Sequence, residues 1–549
     1  MKTLPTTPFT TADFSLRSGG IDFLGLRWVN LTIVGRDLIP ELNNVTADMG
    51  TFFLGGWIPW KFHQLCAGGS DYTEKNYKSF REKVEVALSL TLRDELDIPR
   101  DCGQVRNRVG ITQKNPLPGK LSFKHAKRTE QNSLYAAAIY GPSLHALGLI
   151  KTYHSQAKDG AKSLEIPIPS DDEDALAIVI GVDASLRKSG SYQALASLDS
   201  TEFKAKDVSK LAADGLDPAR YRAAAYAPLK ARFRRKLLPA QPDDPGYART
   251  LTTRLMLATL NQRNRLTTDQ IRNAWYTGMF EDGKPLQIKD QELADQCLRW
   301  SCFMARQFQR YAIELLLWCF EDAIKQGNRS IEAVIEHWER RSKSAGFDGN
   351  VTFEHFAREC AGGLLKKDDL ATSQAWNETV HAGDNHFEFV DEPRDDNAVI
   401  NALRMITGWY WRMLVRQQEG KTKDLLSLGG ADRMSMSWFL QWLTARKKLP
   451  IRSLLQEMFS SLIFAQHIRI ALVRFDGTAQ RLRFLIGDSG IEATISARSD
   501  LGERDLPWMP DRLDTLAGLL CDCDVLAAKD GAFIRGAAAV ELRNQVSRS

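Results

Sequence analysis

Residues 289–326 read KDQELADQCLRWSCFMARQFQRYAIELLLWCFEDAIKQ, and the fold class turns on this stretch. Leu293, Cys297, Trp300, Met304, Phe308, Tyr311, Leu315 and Phe320 recur mostly three or four residues apart, which draws one broad apolar stripe along a helix. Neither Pro nor Gly interrupts it. The spacing predicts a single long helix over Lys289–Gln326, the spine of a middle domain.

Helical spacing continues outward on both sides. Downstream it predicts helices at Ser330–Lys343, Val351–Cys360, Asn397–Glu419, Met436–Lys448 and Ile451–Ala471. Upstream, Tyr77, Phe80, Val84, Leu88 and Leu92 mark a helix over Glu74–Leu96. Ser133–Ile150 reads as a helix pair broken at Gly141-Pro142, ending in LHALGLIK as a helical module does before a β-ribbon. Gly20–Val34 fits an amphipathic helix or an irregular strand. ALAIVIGVDASLR fits a buried strand ending at Asp183 or the start of an apolar helix, because the run is too short for its period to decide.

Two regions switch period. IRIALVRFDGTAQRLRFLIGDSGIEA reads as a hairpin, with Asp476-Gly477 as one turn and GDSG as a second. Pro510–Asp522 places Leu513, Leu516, Leu519 and Leu520 on a helix face, and VLAAKDGAFIRG follows with an Asp530-Gly531 turn. Helix, apolar step, turn and aromatic strand make the closing half of a winged helix. The fold class is therefore mainly α and multidomain, with small β-hairpins and a C-terminal winged-helix-like module. Segment limits fall at 1–165 (helical, with an aromatic core), 166–245 (basic helix and linkers, opening on IPIPSDDED and closing on AQPDDPGY), 246–430 (the long helix) and 431–549 (the closing module).

The 549 residues carry 73 basic and 68 acidic side chains, a net +5, so whole-molecule charge does not drive nucleic-acid binding. The eight cysteines are scattered without zinc-site spacing and read as reduced core residues. MKTLPTTPFTTADF lacks the apolar run of a secretory signal, and the expected compartment is the cytoplasm. Between Asp48 and Lys61 about a dozen uncharged residues occur, short of the roughly 20 that cross a bilayer. No membrane partner is expected.

Local charge peaks in ARYRAAAYAPLKARFRRKLL, where Arg220, Arg222, Lys230, Arg232, Arg234, Arg235 and Lys236 meet almost no acidic residue in sequence. Tyr221, Tyr226 and Phe233 are interleaved. Basic groups displace counterions from a phosphate backbone and aromatic faces stack on bases, so these seven residues are the candidate nucleic-acid contacts. The alternative is a helix whose Arg stems cover the core and whose heads pair with carboxylates elsewhere. In the closing module, Asp511, Asp514, Asp522 and Asp524 repel phosphate and favour a protein-binding role over DNA reading.

Other chemistry is thinly marked. His381, Asp384 and His386 share an acidic loop with the residue types to ligate a divalent ion, and a solvated loop explains them without one. Asp183 at a strand end would suit a metal, but no second acidic residue is tied to it by a known spacing and a solvated helix-start Asp explains it as well. GDSG around Ser489 has the letters of a protease nucleophile segment without its β-barrel or its His and Asp partners. His125-Ala126-Lys127 begins a phospholipase D-like signature that ends on Asn132 instead of Asp. Phosphate-binding loops, zincin motifs, nucleophile elbows and dinucleotide fingerprints are missing, and no cofactor is implied.

The stretch Pro40, Glu41, Leu42, Asn43, Asn44, Val45, Thr46, then Thr51, Phe52, Phe53, Trp57, Ile58, Pro59 and Trp60, distantly resembles the N-terminal Pro/aromatic signature of uncharacterised bacterial proteins from phage-defence gene neighbourhoods. Glu41, Ala47 and Thr51 stand where that pattern has Gly and Arg. The resemblance implies a component of a multi-gene antiviral system and carries over no catalytic residue. On this footing the chain is expected to be a non-enzymatic member of a defence complex, with other subunits and duplex DNA as partners. The alternatives are a metal-dependent nuclease effector of such a system and a transcriptional regulator.

Overall fold

A helix made apolar along one stripe needs partners on that side only; the spine helix of this protein is covered on every side from Trp300 to Glu321. A computed structural model of the chain describes residues 22–43, 48–66, 71–91, 120–122, 140–154, 165–199, 202–204, 211–345, 347–360, 396–416, 423–473, 482–494 and 509–540. Among them the architecture is mainly helical, with short antiparallel strand pairs. The chain divides into two compact units, one from Met1–Leu38 and Asp269–Met509, the other from Ile39–Thr268 and Pro510–Ser549. Sequence limits follow the order of residues; these units follow space, so the residues from Pro510 onward belong with Ile39–Thr268.

In the first unit the spine helix runs Gln291–Lys325. Asp290 caps it by accepting the Leu293 amide at 3.1 Å, and Lys325 lies in the last turn, each charge placed to suit the helix dipole. Its apolar stripe packs on the helix Ala398–Arg416 and on the segment Met458–Ala465. Phe320 meets Phe459, Phe464 and Phe484 with ring centroids 5.8, 6.3 and 5.1 Å away.

The opposite side carries polar groups that are buried as deeply. Arg310 pairs with Glu314 at 2.8 Å, and Glu314 also takes Arg27 at 3.2 Å. Gln307 bridges Asn30 and the Met509 carbonyl. Arg306 donates to the carbonyls of Leu26, Arg433 and Met434, and burial pulls its pKa down to about 9. Most of these groups are paired, since a buried polar group left unpaired is destabilising, while Arg306 Nε and Asn30 Oδ1 stay without a partner among the described residues.

Of the two open readings at Gly20–Val34, the helix is the one present, as Arg27–Ile33 continuing into a π-helical turn, Val34–Leu38. Among the described residues, the hairpin read over Ile468–Ala493 is present in its second half, Phe484–Gly487 with Gly490–Ala493. IRIALV is helical instead, within Gln466–Val473. It prolongs the helix Ile451–Glu457 through the π-helical turns of Met458–Ala465, so tertiary packing overrides the strand preference of its β-branched residues. Asp476 and Gly477 lie outside the described residues.

The second unit is built around an aromatic helix, Met49–Leu65, which holds most of the signature stretch. Met49 to Pro59 is buried without a break. Asp48 caps it, accepting the Thr51 amide at 3.0 Å, and Pro59 sits inside it. It packs on the helices Glu74–Thr91, Gly141–Ala146 and Glu173–Leu186, and on the turn Pro218–Arg222. At Gly50 a Cβ would overlap the backbone of Pro218, so the turn seats directly on the helix.

The predicted β-ribbon appears as Ile150–His154 paired with Glu165–Pro169, and it absorbs the prolines of IPIPS. The sequence ALAIVIGVDASLR is helical, within Glu173–Leu186. A closing helix, Leu513–Asp522, leads to the hairpin Leu526–Lys529 with Ala532–Arg535. Asp530 and Gly531 both take positive φ, 46° and 75°, as a tight hairpin turn requires. Leu266 bridges Phe533 from the far side, beside the helix Tyr247–Gln262, and supplies a third strand position.

Candidate nucleic-acid interface on the basic helix

Asp217 opens the basic segment by accepting the Ala219 amide at 3.0 Å, which starts the tight turn Pro218–Arg222. A second short turn, Ala224–Tyr226, precedes the basic helix Ala227–Leu237, which has Pro228 in its first turn. Its apolar positions face inward. Phe233 is fully buried between Phe52 and Phe53, at 5.5 and 5.6 Å, and Tyr221 is fully buried against Phe53 at 5.3 Å. Tyr226 bonds Ser185 through its hydroxyl. Two of the three interleaved aromatics are thus core residues, and base stacking on Tyr221 or Phe233 is ruled out by their burial.

The cations divide into two sets. Arg222 bridges Asp48 at 2.8 Å and Asp522 at 2.7 Å, and Asp522 also accepts the Met49 amide at 2.9 Å. Burial and the neighbouring Asp48 charge push the Asp522 carboxyl up to about 7. Lys230, its side chain 5% exposed, reaches Asp524 at 3.0 Å. These two cations fasten the closing helix to the aromatic helix and the basic helix.

The second set lies nearer the surface, against the acidic start of Glu173–Leu186. Asp174 accepts Arg235 at 2.6 and 2.9 Å and Arg232 at 2.8 Å. The hydrogen bond from Arg235 is the larger cause of a carboxyl pKa below the usual range, held there against burial. Lys236 meets Asp172 at 2.5 Å, and Glu173, 94% exposed, stands 3.9 Å from Arg232. Arg220 is exposed and donates to the Tyr226 hydroxyl at 3.2 Å, and Arg234 is half-buried on the same helix. The two helices approach closely: a Cβ on Gly181 would lie 2.8 Å from Leu229.

Asp172, Glu173 and Asp174 are the members of this site that sequence reasoning misses. The run SDDED marks a helix start, where Asp172 accepts the Ala175 amide at 3.0 Å, and the same carboxylates face a basic helix about 60 residues on. Asp183 is buried on that helix and is no isolated ligand. It accepts Trp57 at 3.1 Å, Tyr192 at 2.6 Å and Arg187 at 2.6 Å, with Lys61 at 3.8 Å. Burial opposes its ionisation, and these donors more than offset that, so its pKa is lowered.

The aspartates of the closing segment also have internal partners. Asp511 takes the Leu513 amide, Asp514 the Thr268 hydroxyl, Asp522 Arg222 and Asp524 Lys230. Ser489 bonds Glu492 and Arg329 in an exposed turn. His125, Lys127, His381, Asp384 and His386 lie outside the described residues. Among the described residues no group of three or more His, Cys, Asp or Glu side chains could hold a metal ion, and no helix is long and apolar enough to cross a membrane. Compared with family models, with curated proteins and with solved structures, the chain has no match.

Proposed function

We propose that the chain is a non-enzymatic component of a bacterial antiviral, phage-defence system, which binds partner proteins and contacts duplex DNA through the basic helix. The observation that carries the DNA part is the placing of Arg232, Arg235 and Lys236 along the outer side of one helix, with side chains 31%, 55% and 20% exposed. Cations on a common helix face can follow a phosphate backbone without reading bases. The closing helix, hairpin and Leu266 bridge fit a winged-helix-like module, and the internal partners of its aspartates reduce the repulsion they would present to DNA. Exposed apolar side chains at Leu472, Val473 and Ile486 suit contact with partner subunits. The defence setting comes from the resemblance of the aromatic stretch.

The test is binding of a labelled duplex to the purified chain at low salt. Retardation that weakens as salt rises, and weakens again in R232E/R234E/R235E, is the expected result. Absence of any shift at low salt would remove DNA from the reading and leave partner proteins alone.

A further inference from the structure

The outer cations of the basic helix are already occupied, and by groups that resemble a phosphate in charge and geometry. Asp174 collects three hydrogen bonds from two guanidinium groups, with Arg235 gripping both carboxylate oxygens. Asp172 holds Lys236 one turn away on the basic side.

These pairs differ from those further in. Each inner pair keeps one member largely out of solvent, Lys230 at 5% exposure, Asp522 at 6% and Asp48 at 13%, although their partners Asp524 and Arg222 are 50% and 34% exposed. In the outer pairs both members reach solvent, Asp174 at 19% exposure with Arg232 at 31% and Arg235 at 55%, and Lys236 at 20% with Asp172 at 38%, so these ion pairs are partly screened and more readily exchanged. A duplex presents several phosphates at once and releases its counterions when cations replace them, which one exposed carboxylate cannot match.

Resting on the reading of the basic helix as a DNA contact, we propose that Asp172 and Asp174 are a built-in competitor for DNA. They occupy Arg232, Arg235 and Lys236 as a backbone would, and DNA binds by displacing them. The helix start that carries them keeps its cap in either state, because Asp172 uses Oδ1 for the Ala175 amide and Oδ2 for Lys236. The partner is a phosphodiester backbone, bound with little sequence preference and at an affinity set by the carboxylates it must displace.

The experiment is fluorescence anisotropy of a labelled duplex of about 20 base pairs with the full chain, over roughly 50–200 mM salt, where phosphate contacts are most salt-sensitive. D172N/D174N keeps the helix cap and removes the competing charge; D243N/D348N removes the same charge at exposed loop positions. Unchanged far-ultraviolet circular dichroism checks folding, and D174N alone replaces the double variant if that one fails. The expected result is binding about tenfold tighter in D172N/D174N with a salt slope close to the parent's, because the same three cations meet phosphates in both complexes, and little change in D243N/D348N. If the parent binds and R232E/R234E/R235E weakens it while D172N/D174N does not tighten it, or tightens it no more than D243N/D348N, the carboxylates are structural partners and the competitor is overturned while DNA binding stands. If neither the parent nor D172N/D174N binds at the lowest salt, DNA binding itself falls, and the competitor with it.

Discussion

The indole Nε1 of Trp57 donates to Oδ1 of Asp183 at 3.1 Å, and so joins the aromatic helix to the helix that carries the acidic turn. Tyr192 and Arg187 complete the set around that carboxylate, with burial and the carboxylate raising the tyrosine hydroxyl above its ordinary pKa. Replacing Asp183 by Ala would strand the indole and the hydroxyl and leave Lys61 without its nearest carboxylate. The expected loss is about 3 kcal/mol, seen as a lower urea midpoint. D183N keeps an acceptor and is expected to lose about half as much. Equal losses would mean that packing, and not hydrogen bonding, holds the pair.

Asp522 gives the protein a pH-dependent term of defined sign. Its folded pKa, about 7, lies above the ordinary carboxylate value, because burial first and Asp48 second disfavour its charge. The folded state therefore holds the proton more tightly than the unfolded chain. This contribution is fully present below pH 4 and is lost as pH rises to about 7. Urea midpoints measured from pH 4.5 to 8 should show the parent losing stability relative to D522N across that window. A parallel pair of profiles would exclude the effect.

Arg249 is fully buried and forks among the carbonyls of Leu237 and Pro40 and the carboxylate of Glu41, at 2.5, 2.7 and 3.1 Å. It locks the end of the basic helix to the chain entering the aromatic unit. R249M is expected to destabilise by about 3 kcal/mol, since it leaves carbonyls and a carboxylate without their donor. R249K should recover little of that, because an ammonium group cannot reproduce the planar fork. Full recovery in R249K would show that charge alone matters there.

Two glycines form a matched pair of tests. G50A places a methyl group into the backbone of Pro218 and is expected to cost about 1–3 kcal/mol. G190A meets nothing within 4 Å and should lie within about 0.5 kcal/mol of the parent. Thermal melts of the two variants check the contrast, and a neutral G50A would show that the turn has room to retreat.

The spine helix was legible because its apolar residues keep one period without a breaker over 35 residues, well beyond the window of roughly 11–18 in which a helical period can be read. Its buried polar side was not. Arg306 donates to carbonyls of Leu26 and of Met434, which lie 280 and 128 residues away and leave no local mark. The aromatic helix was hard to assign for a different reason: burial on all sides removes the stripe that a period needs. IRIALV alternates as a strand does, and only its continuity with the preceding helix makes it helical. The cations of the candidate site were visible as composition. Their partners were not, because Asp174 is 58 residues from Arg232 and Asp524 is 294 from Lys230.

The division of the chain into interleaved stretches sets an order of manufacture. The aromatic helix is synthesised early, yet the carboxylate that takes the Met49 amide, Asp522, emerges 473 residues later. The Arg27–Ile33 helix likewise waits for the spine helix before Arg27 can meet Glu314, 287 residues on. Neither unit has all its residues while the ribosome is still in residues 269–509, so the nascent chain carries apolar surface whose partners are not yet made. Contacts that join such distant residues also make for slow folding once synthesis is over, which gives chaperones more to do here than in a protein whose units follow one another along the chain.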